Sequence, residues 1–287
     1  MILCFYVFGF VAASAAAYDH SEAETALYLS AATFCDPGDY TTRSFDNSVP
    51  ALVGFNATLS IQDVKYATAG FVGYLPSTQS IYVAYRGSMN WQNWMANLEA
   101  RPVEYTSFTD AGSAIQCNNC KVHRGFYSAL LSDFDSVTSE VKRLTELYPT
   151  YAVKTTGHSL GAALSQLAAM ELIARGIPVA ANYNFGQPRT GNGDYSAVVN
   201  ELLRSYRHVH YADPVPHVPP PAFGYVHACQ EYYEPNEVWD GTLTACGEVS
   251  ASEKSCEDLG ECMLQWKDRQ LNPDDHMTYL GIPIKCY

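Results

Sequence analysis

The sequence predicts an α/β fold, with a mostly parallel sheet covered by helices on both faces, on three observations. A stretch of helical periodicity gives way to a strand, a glycine-flanked serine opens a second helix, and another strand follows. Alternation of this kind needs crossover connections, which place helices on the faces of a parallel sheet. No Gly/Ser/Pro-rich linker, charge block or fixed-period repeat divides the chain, so residues 18–287 are expected to form one domain.

Residues 1–11 are apolar and run into the small-residue stretch 12–17, the pattern of a signal peptide removed near Ala17. No Lys or Arg precedes the run, and a membrane anchor is the alternative, but an anchor needs about 20 apolar residues. The mature chain is therefore expected to be secreted and extracellular. No later segment is expected to span a bilayer, because polar residues or prolines interrupt every apolar stretch after Tyr18.

Residues 69–85 read as a hairpin, with strands at 71–75 and 81–85 around Pro76-Ser77-Thr78-Gln79-Ser80. Phe126, Leu130, Phe134, Val137, Val141, Leu144 and Leu147 recur every three or four residues, predicting one face of an amphipathic helix that stops before Pro149. A strand follows at 151–156, then an Ala- and Leu-rich helix from 159 to 175 that ends at Gly176 in the manner of a C-cap, then strands at 179–185 and 206–211.

Lys and Arg number 17 against 30 Asp and Glu, a formal charge of -13. That charge would repel a phosphate backbone, so nucleic acid is not an expected partner, whereas neutral lipid would be unaffected. No protein partner is predicted. Nine cysteines become eight without Cys4: Cys35, Cys117, Cys120, Cys229, Cys246, Cys256, Cys262 and Cys286. An even count in an exported chain implies disulfides. Zinc at Cys117-x-x-Cys120 is the alternative, but no second pair with matching spacing follows, and no metal is expected.

Gly157-His158-Ser159-Leu160-Gly161 fits G-x-S-x-G between a strand and a helix, the context that puts a serine hydroxyl at the carboxyl edge of a sheet. Small residues two before and two after the serine avoid a collision in so sharp a turn, and the helix N-terminus favours developing negative charge. A glycine-flanked N-cap is the plain structural role for the same serine. A serine nucleophile needs a base and an acid to orient it, in the chain order Ser, Asp, His. Asp213 begins the loop after a strand and is preferred over Asp240, Asp258, Asp268, Asp274 and Asp275. Only His217, His227 and His276 follow it; His217 lies too near the acid in sequence, and His276 comes from a separate loop. His158 is expected to pack at the sheet edge.

With these residues in place, the chain resembles the fungal-type lipases, the lipase class 3 family. Six stretches carry the resemblance: Tyr85-Arg86-Gly87-Ser88, Val122-His123-Arg124-Gly125-Phe126-Tyr127, Thr156-Gly157-His158-Ser159-Leu160-Gly161-Ala162-Ala163, Asn184-Phe185-Gly186-Gln187-Pro188-Arg189-Thr190-Gly191-Asn192, Asp213-Pro214-Val215-Pro216-His217-Val218-Pro219-Pro220, and Asp275-His276-Met277-Thr278-Tyr279-Leu280-Gly281. The resemblance implies an α/β-hydrolase fold, the Ser159–Asp213–His276 triad, and an oxyanion hole from Ser88 and the backbone N–H of Leu160. Ala162 departs from it, standing where glycine is common. The resemblance also implies bridges Cys35–Cys286 and Cys117–Cys120, and a local loop Cys246–Cys256 that leaves Cys229 with Cys262, among 105 possible pairings. Ser88 has its own warrant, at a sharp Arg86-Gly87 corner between strand and helix, where an N-cap role is compatible.

Trp91, Trp94, Met95 and Leu98 fall at i, i+3, i+4 and i+7 directly after that corner. In the resembling lipases this is the lid, near residues 88–98; an ordinary core stripe has the same pattern. Exposing each of these side chains costs roughly 1.5–3 kcal/mol, so a lid would stay shut in water and open at an oily interface. The implied activity is hydrolysis of triacylglycerols at a lipid–water interface, without cofactor. Feruloyl-type carboxylesterase and phospholipase A1 activity are the alternatives on the same fold, and a non-catalytic secreted binding protein is the alternative of another class. Asn56-Ala57-Thr58 is a candidate glycosylation sequon at Asn56.

Overall fold

All six residues of strand β3 (Ser80–Tyr85) are buried, and successive side chains leave for opposite layers. Ile81 and Val83 pack with one apolar cluster, Tyr82 and Ala84 with another. That period of two, buried on both sides, is what a central strand requires. A computed structural model describes residues 18–44, 49–96, 100–108, 115, 117–247, 262–265 and 270–287. Its helices α1 (His20–Ala32), α3 (Arg124–Leu131), α4 (Phe134–Leu147) and α5 (Leu160–Ala174) supply the two layers, α1 on one face and α3 to α5 on the other.

The sheet has eight strands. Strands β1 (Asn56–Asp63), β2 (Thr68–Leu75) and β3 form an antiparallel margin. Strands β6 (Ala152–His158), β7 (Ala181–Phe185), β8 (Ser205–His210) and β9 (Glu231–Glu234) continue parallel from β3, and β10 (Thr244–Cys246) closes the far side antiparallel to β9. The short strands β4 (Pro102–Glu104) and β5 (Lys121–His123) pair apart from the sheet, as do β11 (Thr278–Tyr279) and β12 (Ile282–Pro283). Helices α2 (Trp91–Ala96) and α6 (Gly193–Leu202) complete the elements used below. This is the α/β-hydrolase arrangement expected. Five parallel strands end at one edge, and the polar residues of interest follow those ends.

The expectations for the 126–147 helix and for the cysteine pairing need correction. The helix predicted over 126–147 is two helices, broken at Ser132 and Asp133, where the Ser132 hydroxyl donates back to Ala129 O at 2.8 Å and Asp133 leaves helical φ/ψ. Leu147, placed on the buried face by periodicity, is the last residue of α4 and is 57% exposed. The disulfides Cys35–Cys286 and Cys117–Cys120 stand as expected, and the latter leaves no thiol pair for zinc. Cys246, however, bonds Cys262, not Cys256. Antiparallel pairing sets Cys246 opposite Glu231, and the Glu231 carboxylate accepts from Met263 N at 2.9 Å, which brings Cys262 to the same place. The expected Cys229–Cys262 pairing is thereby excluded, since Cys229 lies before β9, where its N–H donates to Asn200 at the end of α6. Cys256 lies outside the described residues, as do residues 1–17 and Leu98.

Candidate active site

Ser159 sits between β6 and α5 with φ 59° and ψ -129°, in the left-handed half of backbone space. A non-glycine residue is held there only when its surroundings leave no alternative. Those surroundings are two glycines: a methyl on Gly157 would strike the carbonyl of Gly161, and one on Gly161 would strike Tyr85 O at the end of β3. The need for glycine after the serine thus comes from the neighbouring strand, not the preceding one. Ser159 N–H donates to Phe185 O at 2.9 Å, which fixes the turn across to β7. The corner after β3 lies against the same residue, for a methyl on Gly87 would come within 2.9 Å of Ser159 Cβ. That places Ser88, half-buried, on the strand end next to the serine, with Leu160 opening α5 behind it.

Asp213 follows β8 and is buried. Its Oδ1 accepts from Val215 N at 2.8 Å, and its Oδ2 accepts both His276 Nδ1–H at 2.8 Å and the Tyr279 hydroxyl. Burial alone would push this carboxyl up, but the facing His276 imidazole and the three hydrogen bonds outweigh it and hold it below the ordinary carboxylate range. Tyr279 stays a donor, since burial and the Asp213 charge push its phenol well up. The other acids considered go elsewhere: Asp240 and Asp274 are exposed, and Asp275 accepts from Ala212 N at 3.2 Å. Asp258 and Asp268 lie outside the described residues. Of the rival bases, His227 is bound to Pro216 O at 2.8 Å, and the His217 backbone carbonyl accepts from the buried Arg189 guanidinium at 2.6 Å.

Three partners of this constellation escape sequence reasoning. Tyr279 is one. Gly186, at φ 60° after β7, is another: a methyl there would lie 2.6 Å from the Tyr279 hydroxyl and 2.9 Å from both Asp213 Oδ2 and His276 Cε1. Both stand in stretches that carry the family resemblance, with nothing local to announce their part. The third is His158, expected only to pack. Its ring lies 4.4 Å from that of His276, and its Nε2 is 2.7 Å from His276 O. A carbonyl can only accept, so His158 Nε2 carries the proton. Burial, then the His276 charge, pushes His158 well down, and it is neutral.

Among the described residues neither Ser159 Oγ nor His276 Nε2 has a hydrogen-bond partner. Over them lies α2. The Trp91 ring is 4.6 Å from the His276 ring, and Met95, one turn on, lines an apolar cavity of about 480 Å³ with Pro102, Val218, Pro219 and Phe223. The Trp94 side chain lies outside the described residues.

An α/β-hydrolase fold with a serine on a strained elbow, and with an aspartate-bound histidine packed against the residue before that serine, has the architecture of the serine hydrolases. More closely, residues 82–223 match the class 3 lipase family model, and the chain resembles the fungal-type lipases. It is 31% identical over 222 residues to a lipase of Rhizomucor miehei, covering 76% of this chain and 56% of that protein. A secreted mono- and diacylglycerol lipase of Penicillium cyclopium is 32% identical over 166 residues, covering 58% of this chain and 52% of the relative. The chain thus spans about half the length of these curated relatives. The solved structure of the Rhizomucor miehei triacylglyceride lipase superposes with a TM-score of 0.77 at 27% identity, over 92% of this chain and 95% of that one.

Proposed function

We propose that the chain is a secreted serine hydrolase that cleaves the carboxylic esters of neutral glycerides at a lipid–water interface. The observation that carries this is the bond from His276 Nδ1 to buried Asp213, arriving at the turn where Ser159 is held at positive φ. Ser159 Oγ attacks the ester carbonyl carbon as His276 Nε2 takes its proton; the same proton passes to the departing alcohol, leaving an acyl-serine. Water then attacks the acyl carbon with His276 again as base, and the serine is restored. Asp213 holds the imidazole with Nδ1 protonated and stabilises its cation. The Ser88 hydroxyl and the Leu160 N–H are assigned to the developing oxyanion, a role worth about 2.7–4 kcal/mol per donor.

The apolar cavity beside Val218 and Met95 suits an acyl chain, and α2 suits a lid over residues 88–98, with Trp91 its inward anchor. Closed, it covers the imidazole; an oil surface that takes up its apolar side chains would offset the cost of opening. The chain's negative charge favours neutral lipid over anionic surfaces. Removal of residues 1–17 and export fit the disulfides, and exposed Asn56 fits a glycan. The names of the relatives, triacylglyceride lipase and mono- and diacylglycerol lipase, agree with a glyceride substrate. A panel of triglyceride, diglyceride, phosphatidylcholine and methyl ferulate on purified protein tests the assignment. Turnover is expected to be fastest on neutral glycerides, and ferulate as the best substrate would replace it.

A further inference from the structure

Segment 272–281 carries His276 and Tyr279, and it crosses the ends of β8 and β9 without belonging to either. Near Asp213 it is tied by Asn272 N to Ala212 O at 2.9 Å and by Ala212 N to the Asp275 carboxylate. Two further ties come from side chains that no part of the reaction uses. His210, the last residue of β8, has Nδ1 2.9 Å from the Asp275 carbonyl, and its Nε2 faces Asn236 O at 3.3 Å and Glu237 O at 3.2 Å. Glu234, the last residue of β9 and the register neighbour of His210, accepts from Leu280 N at 2.9 Å. Both side chains are buried. Asp275 immediately precedes His276, and Leu280 immediately follows Tyr279, so the two ties grip the segment just outside the two residues that meet Asp213 Oδ2.

We propose that His210 and Glu234 are positioning residues that clamp residues 275 and 280, so that the His276 imidazole and the Tyr279 hydroxyl reach one carboxylate oxygen together. The proposal rests on the hydrolase assignment above. A base displaced by about 1 Å loses rate steeply, while substrate binding, made elsewhere in the cleft, is little changed. Glu234 has a second feature that ordinary packing does not explain. Its Oε1 is buried without a hydrogen-bond partner among the described residues, although an apolar side chain would fill the same place at no such cost. Burial pushes the carboxyl up to about 8, so it is neutral at pH 7 and still accepts from Leu280 N. The titratable groups around it are the phenols of Tyr18, from the segment before α1, and Tyr279; burial pushes both up, so neither ionises with it. His210 stands beside it on β8. Above pH 8 the clamp would hold an unpaired buried charge and loosen to hydrate it.

Glu234→Leu, Glu234→Gln and His210→Leu, assayed on a soluble short-chain p-nitrophenyl ester from pH 6 to 9.5, test this. Glu234→Leu and His210→Leu are expected to lower kcat roughly 10- to 100-fold with KM within about twofold. Glu234→Gln keeps the acceptor for Leu280 N but cannot ionise, so it is expected to recover most of what Glu234→Leu loses and to remove the wild-type decline in kcat above pH 8. Wild-type kcat in both leucine variants, or a Glu234→Gln profile that overlays wild type, overturns the clamp. If Glu234→Leu does not fold, the Glu234→Gln profile and the kcat–KM split of His210→Leu still decide it. Fluorophosphonate labelling of the wild type at Ser159 separates the two failures: without that label the hydrolase assignment falls, and with it only the clamp is at stake.

Discussion

The two sides of the candidate site are held by different physics. Ser159 is fixed by backbone sterics: two glycines that admit no methyl, a positive φ, and one hydrogen bond across to β7. His276 is fixed by side chains from four other segments: Asp213, His158, His210 and Glu234, the last acting through Leu280. A steric constraint of the first kind leaves its mark on five consecutive residues, Gly157 to Gly161, although Tyr85 and Phe185 help impose it. A network of the second kind is spread over more than a hundred, and any one member can be lost without erasing a motif. The serine side should therefore fail abruptly on substitution, and the histidine side by degrees.

The largest effect is expected where the two sides touch. Gly186→Ala would force a methyl between Tyr279, Asp213 and His276 at a φ that L side chains rarely adopt. A fall in kcat of roughly 100-fold or more, measured on a soluble ester, is the expected result; a fall below threefold would show that the segment yields easily. Next is the stability of the histidine side against pH. Glu234 is protonated in the folded chain up to about 8 and ionised in the unfolded chain above its ordinary 4.5, so folding binds a proton between those values. Its contribution is full below pH 4.5 and is lost as pH rises toward 8, on the order of 5 kcal/mol across the window. Denaturant midpoints of Glu234→Gln should show a shallower decline over that range than wild type; parallel curves would remove the basis for the shift.

Tyr279→Phe takes one donor from a buried carboxylate, a loss of about 1–3 kcal/mol. The hydroxyl helps hold Asp213 below its ordinary range, so its removal raises the point at which Asp213 takes up a proton. The acid limb of kcat should move to higher pH, with kcat at pH 7 down about tenfold; an unmoved acid limb would assign the hydroxyl to packing alone. Trp91→Ala should have the smallest effect and the opposite sign. Removing the ring 4.6 Å from His276 is expected to raise turnover of a dissolved ester about two- to fivefold and to blunt the upturn on emulsified triglyceride, each lost CH2-sized contact being worth about 0.8 kcal/mol. Unchanged ratios of dissolved to emulsified rate would argue against α2 as a lid.

The same contrast explains what the sequence made legible. The β6–Ser159–α5 turn is readable because the glycines it needs stand within two residues of the serine, and Asp213 because strand ends at one sheet edge collect such groups. Tyr279 and Gly186 stand in stretches that carry the family resemblance, yet their part depends on where β7 and the C-terminal segment cross, which no period or spacing records. Glu234 follows three residues of β9 with no signature at all. Helical periodicity ran unbroken through Ser132 and Asp133 because the two short helices keep a common buried face, so the break was invisible to it. The Cys246 bridge went to Cys262 because sheet pairing, not nearness along the chain, sets which sulfurs meet.

Whether Ser159 is activated by a histidine from the distant 272–281 segment is decided by fluorophosphonate labelling with peptide mapping of the wild type and of His276→Ala. The expected result is a single adduct on Ser159 in the wild type, formed at least about 1000-fold more slowly in the variant. An adduct on another residue, or equal labelling rates in the two proteins, would contradict it.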